Sequence, residues 1–273
     1  MLAIVCPGQG SQTPGFLAPW LELDVTRDLL ASLSDAAGVD LIRHGTESDE
    51  ETIKDTAVAQ PLIVAAGLVA AAALEADAAA PKSTVVAGHS VGEVTAAAVT
   101  GVLSPAEALS LVRVRATGMA RAAAATPTGM AAVVGGDQDE VLAAIDAAGL
   151  TPANVNGAGQ IVAAGTAEAL GALAESAPAR ARVIPLKVAG AFHTEHMRPA
   201  VDDLAAHVGQ VVEGAHRRLQ LIAHTTDIHH QPRWCLVDNH PAQPSDHRAL
   251  LTCAKPGACS HPVAARWRGH GHG

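Results

Sequence analysis

Apolar and polar positions along the chain fall into recognisable periods. Leu2-Ala3-Ile4-Val5-Cys6 is a short apolar run that stops at Pro7-Gly8, which predicts a buried strand followed by the Gly-rich loop Gly8-Gln9-Gly10-Ser11-Gln12. An Ala- and Leu-rich stretch from about Gln60 to Ala78 predicts a helix. Ser83-Thr84-Val85-Val86-Ala87 then reads as a central parallel strand, because it lacks the alternation of a half-exposed one. Val94–Gly101 and Pro105–Ala124 carry helical spacing, the second opened by Ser104-Pro105 with Glu107 in its first turn. From Thr128 the texture changes. A strand at Gly129–Val134, a helix at Asp139–Ala148, a hairpin of Ala153–Asn156 with Gln160–Ala164, a helix at Thr166–Ser176 and a strand at Arg182–Val188 give the order β-α-β-β-α-β. That order is the ferredoxin-like pattern, and it predicts a subdomain over 128–190 inserted into a core of residues 1–127 and 191–214. A helix over Met197–Val212 closes the core, so the fold class is α/β.

Composition adds constraints. The 273 residues suffice for one large domain or a core with an insertion. Aromatics are only 2% while Ala supplies much of the apolar fraction, so packing must rest on Ala, Val and Leu, with helices close together. A formal charge of −9 without clustered Lys and Arg argues against nucleic acid as a partner. No basic leader precedes the first strand and no apolar run looks long and unbroken enough to span a bilayer, which points to the cytoplasm and no membrane. Cys6, Cys235, Cys253 and Cys259 form no Cys-x-x-Cys pair, so no disulfide framework is expected. Beyond Gly214 the chain is of another kind. Residues 215–273 hold nine of the fourteen His and seven Lys or Arg against three Asp or Glu, whereas residues 1–214 hold eleven against twenty-four. Periodicity fades there, and Arg266–Gly273 reads as coil. A shifted reading frame in a GC-rich gene would produce such a tail. A metal site from His240, His247, Cys253, Cys259 and His261 lacks paired ligand spacing, so none is expected.

The chemistry concentrates at Gly88-His89-Ser90-Val91-Gly92. Gly-x-Ser-x-Gly recurs by chance in Gly- and Ala-rich chains. Between a buried strand and a helix, however, it forces the serine onto a tight turn, where the glycines remove side chains that would collide. Ser90 is then a nucleophile at the top of the sheet, and the Val91 N–H at the helix start faces the site of an oxyanion. The N–H of Gln9, on the loop after the first strand, is the natural second donor. The loop lacks the Lys-Ser/Thr ending of a phosphate-binding P-loop. Serine needs a base. His89 is adjacent but points away along the turn, whereas His193, after a strand-like run, is better placed.

Gly8–Gln12, Gln60-Pro61, Gly88–Glu93, the run Arg115–Met119, Asn154–Gln160 and Gly190-Ala191-Phe192-His193 together resemble the malonyl-CoA:acyl carrier protein transacylases, in order and spacing, over residues 1 to about 210. The resemblance implies an α/β-hydrolase-like core with a parallel sheet and a ferredoxin-like subdomain. It also implies transfer of malonyl from coenzyme A to the phosphopantetheine thiol of acyl carrier protein, for fatty acids or polyketides. It assigns Ser90 as nucleophile, His193 as base, and the Gln9 and Val91 N–H groups as oxyanion donors. Arg115 becomes the clamp for the free malonyl carboxylate, which needs a bidentate partner in an apolar pocket. Met119 and Phe192 line the acyl pocket, and Gln60, Asn154, Asn156 and Gln160 its polar wall. No metal or redox cofactor is implied. The carrier, being acidic, would dock on local cations, with Arg180, Arg182, Lys187 and Arg198 as candidates. Three alternatives stand beside this reading: a polyketide-synthase acyltransferase domain, which the start at Met1 disfavours; a serine hydrolase, which has no use for Arg115; and a non-catalytic carrier-binding module. The family's C-terminal motifs, including the loop that orients the base, are not found after Gly214.

Overall fold

The computed structural model describes residues 2–76, 83–157, 159–211, 235–238 and 252–253. Strand β1 (Leu2–Cys6) is followed by a 3-10 helix at Ala18–Glu22 and by helices α1 (Asp24–Ala37), α2 (Leu41–Thr46), α3 (Glu50–Lys54) and α4 (Thr56–Ala76). Strand β2 (Ser83–Gly88) leads through the Ser90 turn into α5 (Gly92–Val99), and α6 (Pro105–Ala125) follows. A Ser104 capping box with Glu107, and Pro105 in the first turn, start α6 where the sequence predicts it. The insertion runs β3 (Thr128–Gly135), α7 (Gln138–Ala147), β4 (Thr151–Gly157), β5 (Gln160–Thr166), α8 (Ala167–Glu175) and β6 (Ala181–Pro185). Helix α9 (Arg198–Val211) returns to the core, and β7 (Cys235–Asp238) and β8 (Thr252–Cys253) complete the described elements.

Two sheets result, in a mixed α/β fold. The first has the order β1-β2-β7-β8, and the second, wholly antiparallel, the order β4-β5-β3-β6. The expected parallel sheet needs correction: β1 and β2 are parallel, but β7 joins β2 antiparallel. An unbroken apolar strand reports burial on both faces and says nothing about the direction of its neighbours. The stretch after Gly214, where periodicity fades, supplies β7, with Leu236 and Val237 opposite Ala87 and Val86. The coil expected at Arg266–Gly273, and His240, His247, Cys259 and His261, lie outside the described residues.

Helices α1, α4, α5 and α6 share an apolar core that includes Leu30, Leu33, Leu62, Val64, Val94, Leu109 and Val112. Small residues bring these helices close: a methyl at Gly118 of α6 would sit 3.1 Å from Ala200 of α9. One sequence expectation changes here. Helix α4, with 21 residues and a mean hydropathy of 2.1, is by length and composition able to cross a membrane. Half of that window is buried inside the protein, with Gln60 and Pro61 fully enclosed, so α4 serves as a core helix here. A second apolar cluster joins the two units. Met119, Ala122 and Ala123 of α6 meet Met130, Ala153, Val162 and Ala164 of the insertion, with Phe192 and Met197 beside them.

Candidate active site

The turn between β2 and α5 is enforced by close packing. A methyl at Gly92 would sit 2.7 Å from the Pro7 carbonyl oxygen, and one at Gly88 would strike the backbone of Gly92 and Glu93. Ser90 is thereby held at φ 54°, a left-handed conformation that costs a non-glycine residue on the order of 1–3 kcal/mol. The helix bonds begin with Gly92 N–H to His89 O and Glu93 N–H to Ser90 O. The Val91 N–H stands at the start of α5 ahead of them, and the Val91 side chain is fully buried. The loop after β1 lies against this turn: His89 N–H donates to Cys6 O at 3.0 Å, and a methyl at Gly8 would lie 2.8 Å from His89 Nδ1. Cys6, buried beneath, has its thiol pushed up to about 11 by burial.

His193 reaches Ser90 from the far side of the insertion, its Nε2 3.0 Å from Ser90 Oγ. It too has a left-handed backbone, φ 61°. Thr128 and Thr194 shape that turn: Thr128 Oγ1 accepts from Ala191 N–H at 3.0 Å, and Thr194 Oγ1 donates to Ala191 O at 2.7 Å. Burial, reinforced by the Arg115 and His89 charges, pushes the His193 imidazole down to about 3. It is therefore neutral at physiological pH, and in the tautomer that carries its proton on Nδ1 its Nε2 is free to accept a hydrogen bond from the Ser90 hydroxyl.

Arg115, 8% exposed, donates Nη1 to Gln60 Oε1 and Nη2 to Ser90 Oγ at 3.3 Å. Gln60 Nε2 in turn donates to Gln9 Oε1 at 3.2 Å and lies 3.5 Å from Met119 Sδ. Gln9 Nε2 donates to Thr56 Oγ1 at 3.3 Å, which ties the first loop to the head of α4. One polar chain thus runs from the Gly-rich loop through Gln60 and Arg115 to the nucleophile. Phe192 and Met119, both 6% exposed, supply apolar wall. Glu93, in the first turn of α5, is raised to about 7 by burial, with Arg115 opposing the shift. Burial brings Arg115 down to about 10, with the Glu93 charge opposing the shift. A buried guanidinium without a close ion-pair partner among the described residues is unusual, because such a charge normally carries its counterion with it. It suits an anionic ligand that supplies the missing charge.

Of the residues singled out in the sequence, the structure gathers Gln9, Gln60, Ser90, Val91, Arg115, Met119, Phe192 and His193. Asn154, Asn156 and Gln160 are not linked to them among the described residues. Asn156 Nδ2 donates instead to Gln160 Oε1 at 2.8 Å, on an exposed end of the β4–β5 hairpin. Sequence reasoning missed Glu93, Thr56, Thr128 and Thr194. Only Thr194 carried a local signal, as a Thr capping the short helix that begins at Glu195. Among the described residues no group of three His, Cys, Asp or Glu is arranged to hold a metal.

Known proteins resemble the chain over most of its length. The acyl transferase domain family matches residues 3–247, beyond the point where the recognisable motifs end. The malonyl CoA-acyl carrier protein transacylase of Mycobacterium tuberculosis H37Rv is 53% identical over 212 residues, covering 77% of this chain and 70% of that protein. The enzyme of the same name from Escherichia coli K12 is 34% identical over 221 residues, 78% of this chain and 71% of that protein. A crystal structure of the M. tuberculosis protein superposes with a TM-score of 0.73 at 54% identity, covering 76% of this chain and 69% of that one. A type II polyketide-synthase acyl carrier protein in complex with its malonyl transacylase matches at 0.70 and 31% identity, with 76% and 69% covered.

Proposed function

Since the chain belongs to the acyl transferase family and, within it, to the malonyl-CoA:acyl carrier protein transacylases, we propose that it moves malonyl from coenzyme A to acyl carrier protein through an ester on Ser90. The single observation that carries the residue assignment is the joint approach of His193 Nε2 and Arg115 Nη2 to one hydroxyl, at 3.0 and 3.3 Å. Ser90 Oγ attacks the thioester carbonyl while its proton passes to His193 Nε2. The Gln9 and Val91 N–H groups take the oxyanion, and collapse expels the coenzyme A thiolate, which leaves with the proton from His193. In the second half the phosphopantetheine thiol gives its proton to His193 and attacks the ester carbonyl, and the Ser90 Oγ expelled on collapse takes that proton back from His193 Nε2. Atoms and protons balance without a metal or redox cofactor. Arg115 turns from Ser90 Oγ to the malonyl carboxylate, leaving the hydroxyl to its base. The second sheet, in the order β4-β5-β3-β6 with helices after β3 and β5, supports a ferredoxin-like unit over 128–190 on an α/β-hydrolase-like core. The reaction belongs in the cytoplasm, with its thioester substrate.

The test is incubation with malonyl-CoA followed by intact-protein mass. A malonyl adduct on the wild type, absent in Ser90→Ala, is expected. Well-folded wild-type protein that stays unmodified would reject the reading.

A further inference from the structure

A guanidinium carries donors and no acceptor, and this fixes the direction of the polar chain beside Ser90. Arg115 Nη1 must meet the oxygen of the Gln60 amide, so Gln60 turns its Nε2 toward Gln9, 3.2 Å from Gln9 Oε1. Gln9 then faces the other way with its own Nε2, which needs an acceptor in turn. Thr56 Oγ1 supplies one at 3.3 Å, while the Lys54 carbonyl stands at 3.5 Å, the limit of a useful bond. The chain therefore starts at a cation and ends on one hydroxyl.

Thr56 opens α4 without capping it. Asp55 provides the cap, its Oδ1 accepting from Ala57 N–H at 2.7 Å. Thr56 and Gln60 lie one turn apart on α4, both 1% exposed, and they grip the two ends of the Gln9 amide. The rest of the Gly-rich loop is fastened to the same junction. Gln12 Nε2 donates to Ile53 O at 3.1 Å, and Gln12 Oε1 accepts from Gly10 N–H at 2.8 Å. A buried hydroxyl relieved of capping thus sits where it sets the orientation of the Gln9 side chain.

We propose that Thr56 is a positioning residue for acyl loading: by ending the chain, its hydroxyl holds the Gln9 side chain and, through it, the Gln9 N–H that takes the oxyanion. The inference rests on the malonyl-transfer reading. An oxyanion forms on the thioester carbonyl whatever acyl group is attached, whereas the carboxylate clamp at Arg115 concerns malonyl alone. Thr56 therefore acts on the rate of transfer, for malonyl and acetyl thioesters alike. Deleting an oxyanion donor costs about 100- to 1,000-fold in kcat, and displacing one costs part of that.

The test is the rate of Ser90 acylation in the full-length protein, read by intact mass. Thr56→Val keeps the branched shape and removes the acceptor. Its kcat should fall about tenfold or more with malonyl-CoA and acetyl-CoA alike, while KM changes by less than about threefold. Thr56→Ser, which keeps the hydroxyl, should restore kcat. Gln9→Leu retains the peptide N–H but removes the amide that Thr56 holds, so it should show the same loss, and adding Thr56→Val to it should cost nothing further. Gln9→Leu and Thr56→Ser carry the test if Thr56→Val does not fold. An unchanged kcat in folded Thr56→Val or in Gln9→Leu would overturn the proposal. So would a loss confined to the KM for malonyl-CoA, which would assign Thr56 to the Arg115 clamp. A Thr56→Ser variant as slow as Thr56→Val would leave only packing of the methyl, and additive losses in the double variant would separate Thr56 from Gln9; either overturns it. Wild-type protein that forms no adduct would instead remove the parent reading.

Discussion

Arg115 is a buried cation, and the half-buried Glu93 carboxyl, which feels its charge without forming a close ion pair with it, is raised to about 7 by burial. In the proposed clamp, removing the guanidinium deprives the malonyl carboxylate of charge-assisted bonds, each worth about 1.5–3 kcal/mol. Arg115→Ala should therefore lower kcat/KM for malonyl-CoA on the order of 10- to 100-fold. Acetyl-CoA, which has no free carboxylate, should gain relative to malonyl. Competition between the two thioesters, read by mass of the Ser90 adduct, checks this, and unchanged selectivity would remove Arg115 as clamp. Glu93 makes a different prediction. Its carboxyl holds its proton more tightly in the fold, at about 7 rather than the usual 4.5. The associated stability is thus complete below about pH 4.5 and is lost as pH rises through 7, by on the order of 3 kcal/mol. Glu93→Gln removes this loss. Denaturant midpoints of variant and wild type should coincide at pH 4 and favour the variant at pH 8, and parallel pH profiles would contradict the assignment. Ser90, His193 and Arg115 were legible in the sequence because their motifs carry both residue type and spacing. Glu93 stood in the same motif, but burial is a property of what packs around a side chain, and nothing local records it. Asn156 and Gln160 show the converse: polar residues in a matching motif, which the structure pairs with each other at a hairpin end.

The elements that position the site depend on a few close approaches. Helix α5 can begin directly after Ser90 because Gly92 passes over the Cys6 and Pro7 carbonyls with no room for a methyl. Gly92→Ala should therefore destabilise the protein by several kcal/mol or shift the turn, on the order of other backbone clashes in packed cores. Loss of soluble protein, or of adduct formation in what remains folded, is the expected readout. An active, normally stable variant would show that β1 can recede. Longer elements were readable from period and caps, as α6 shows with Ser104, Pro105 and Glu107. Helices α1 to α3 were not assigned from the sequence. In α1 the buried positions Thr26, Leu30, Leu33 and Ala37 do follow helical spacing. The signal is diluted by a polar Thr and a small Ala among the inward residues, and by the five- and six-residue helices beside it, too short to show a period.

At the scale of the molecule, the order of strands and helices in the insertion was legible, since each element there has its own period and turn signals. The arrangement of the first sheet was not. The direction of β7 beside β2 is fixed by pairing between residues about 150 positions apart in a segment of unlike composition, and strand burial alone does not encode it. The same distance effect separates nucleophile and base, which the insertion holds 103 residues apart and the fold returns to within 3.0 Å. Both of those residues sit in left-handed backbone. Glycine relieves that conformation at each position, so a selection for thermal resistance alone would drift toward the two substitutions that extinguish transfer. Serine and histidine persist there only under selection for turnover, and stabilisation of this enzyme has to be sought away from these two left-handed positions.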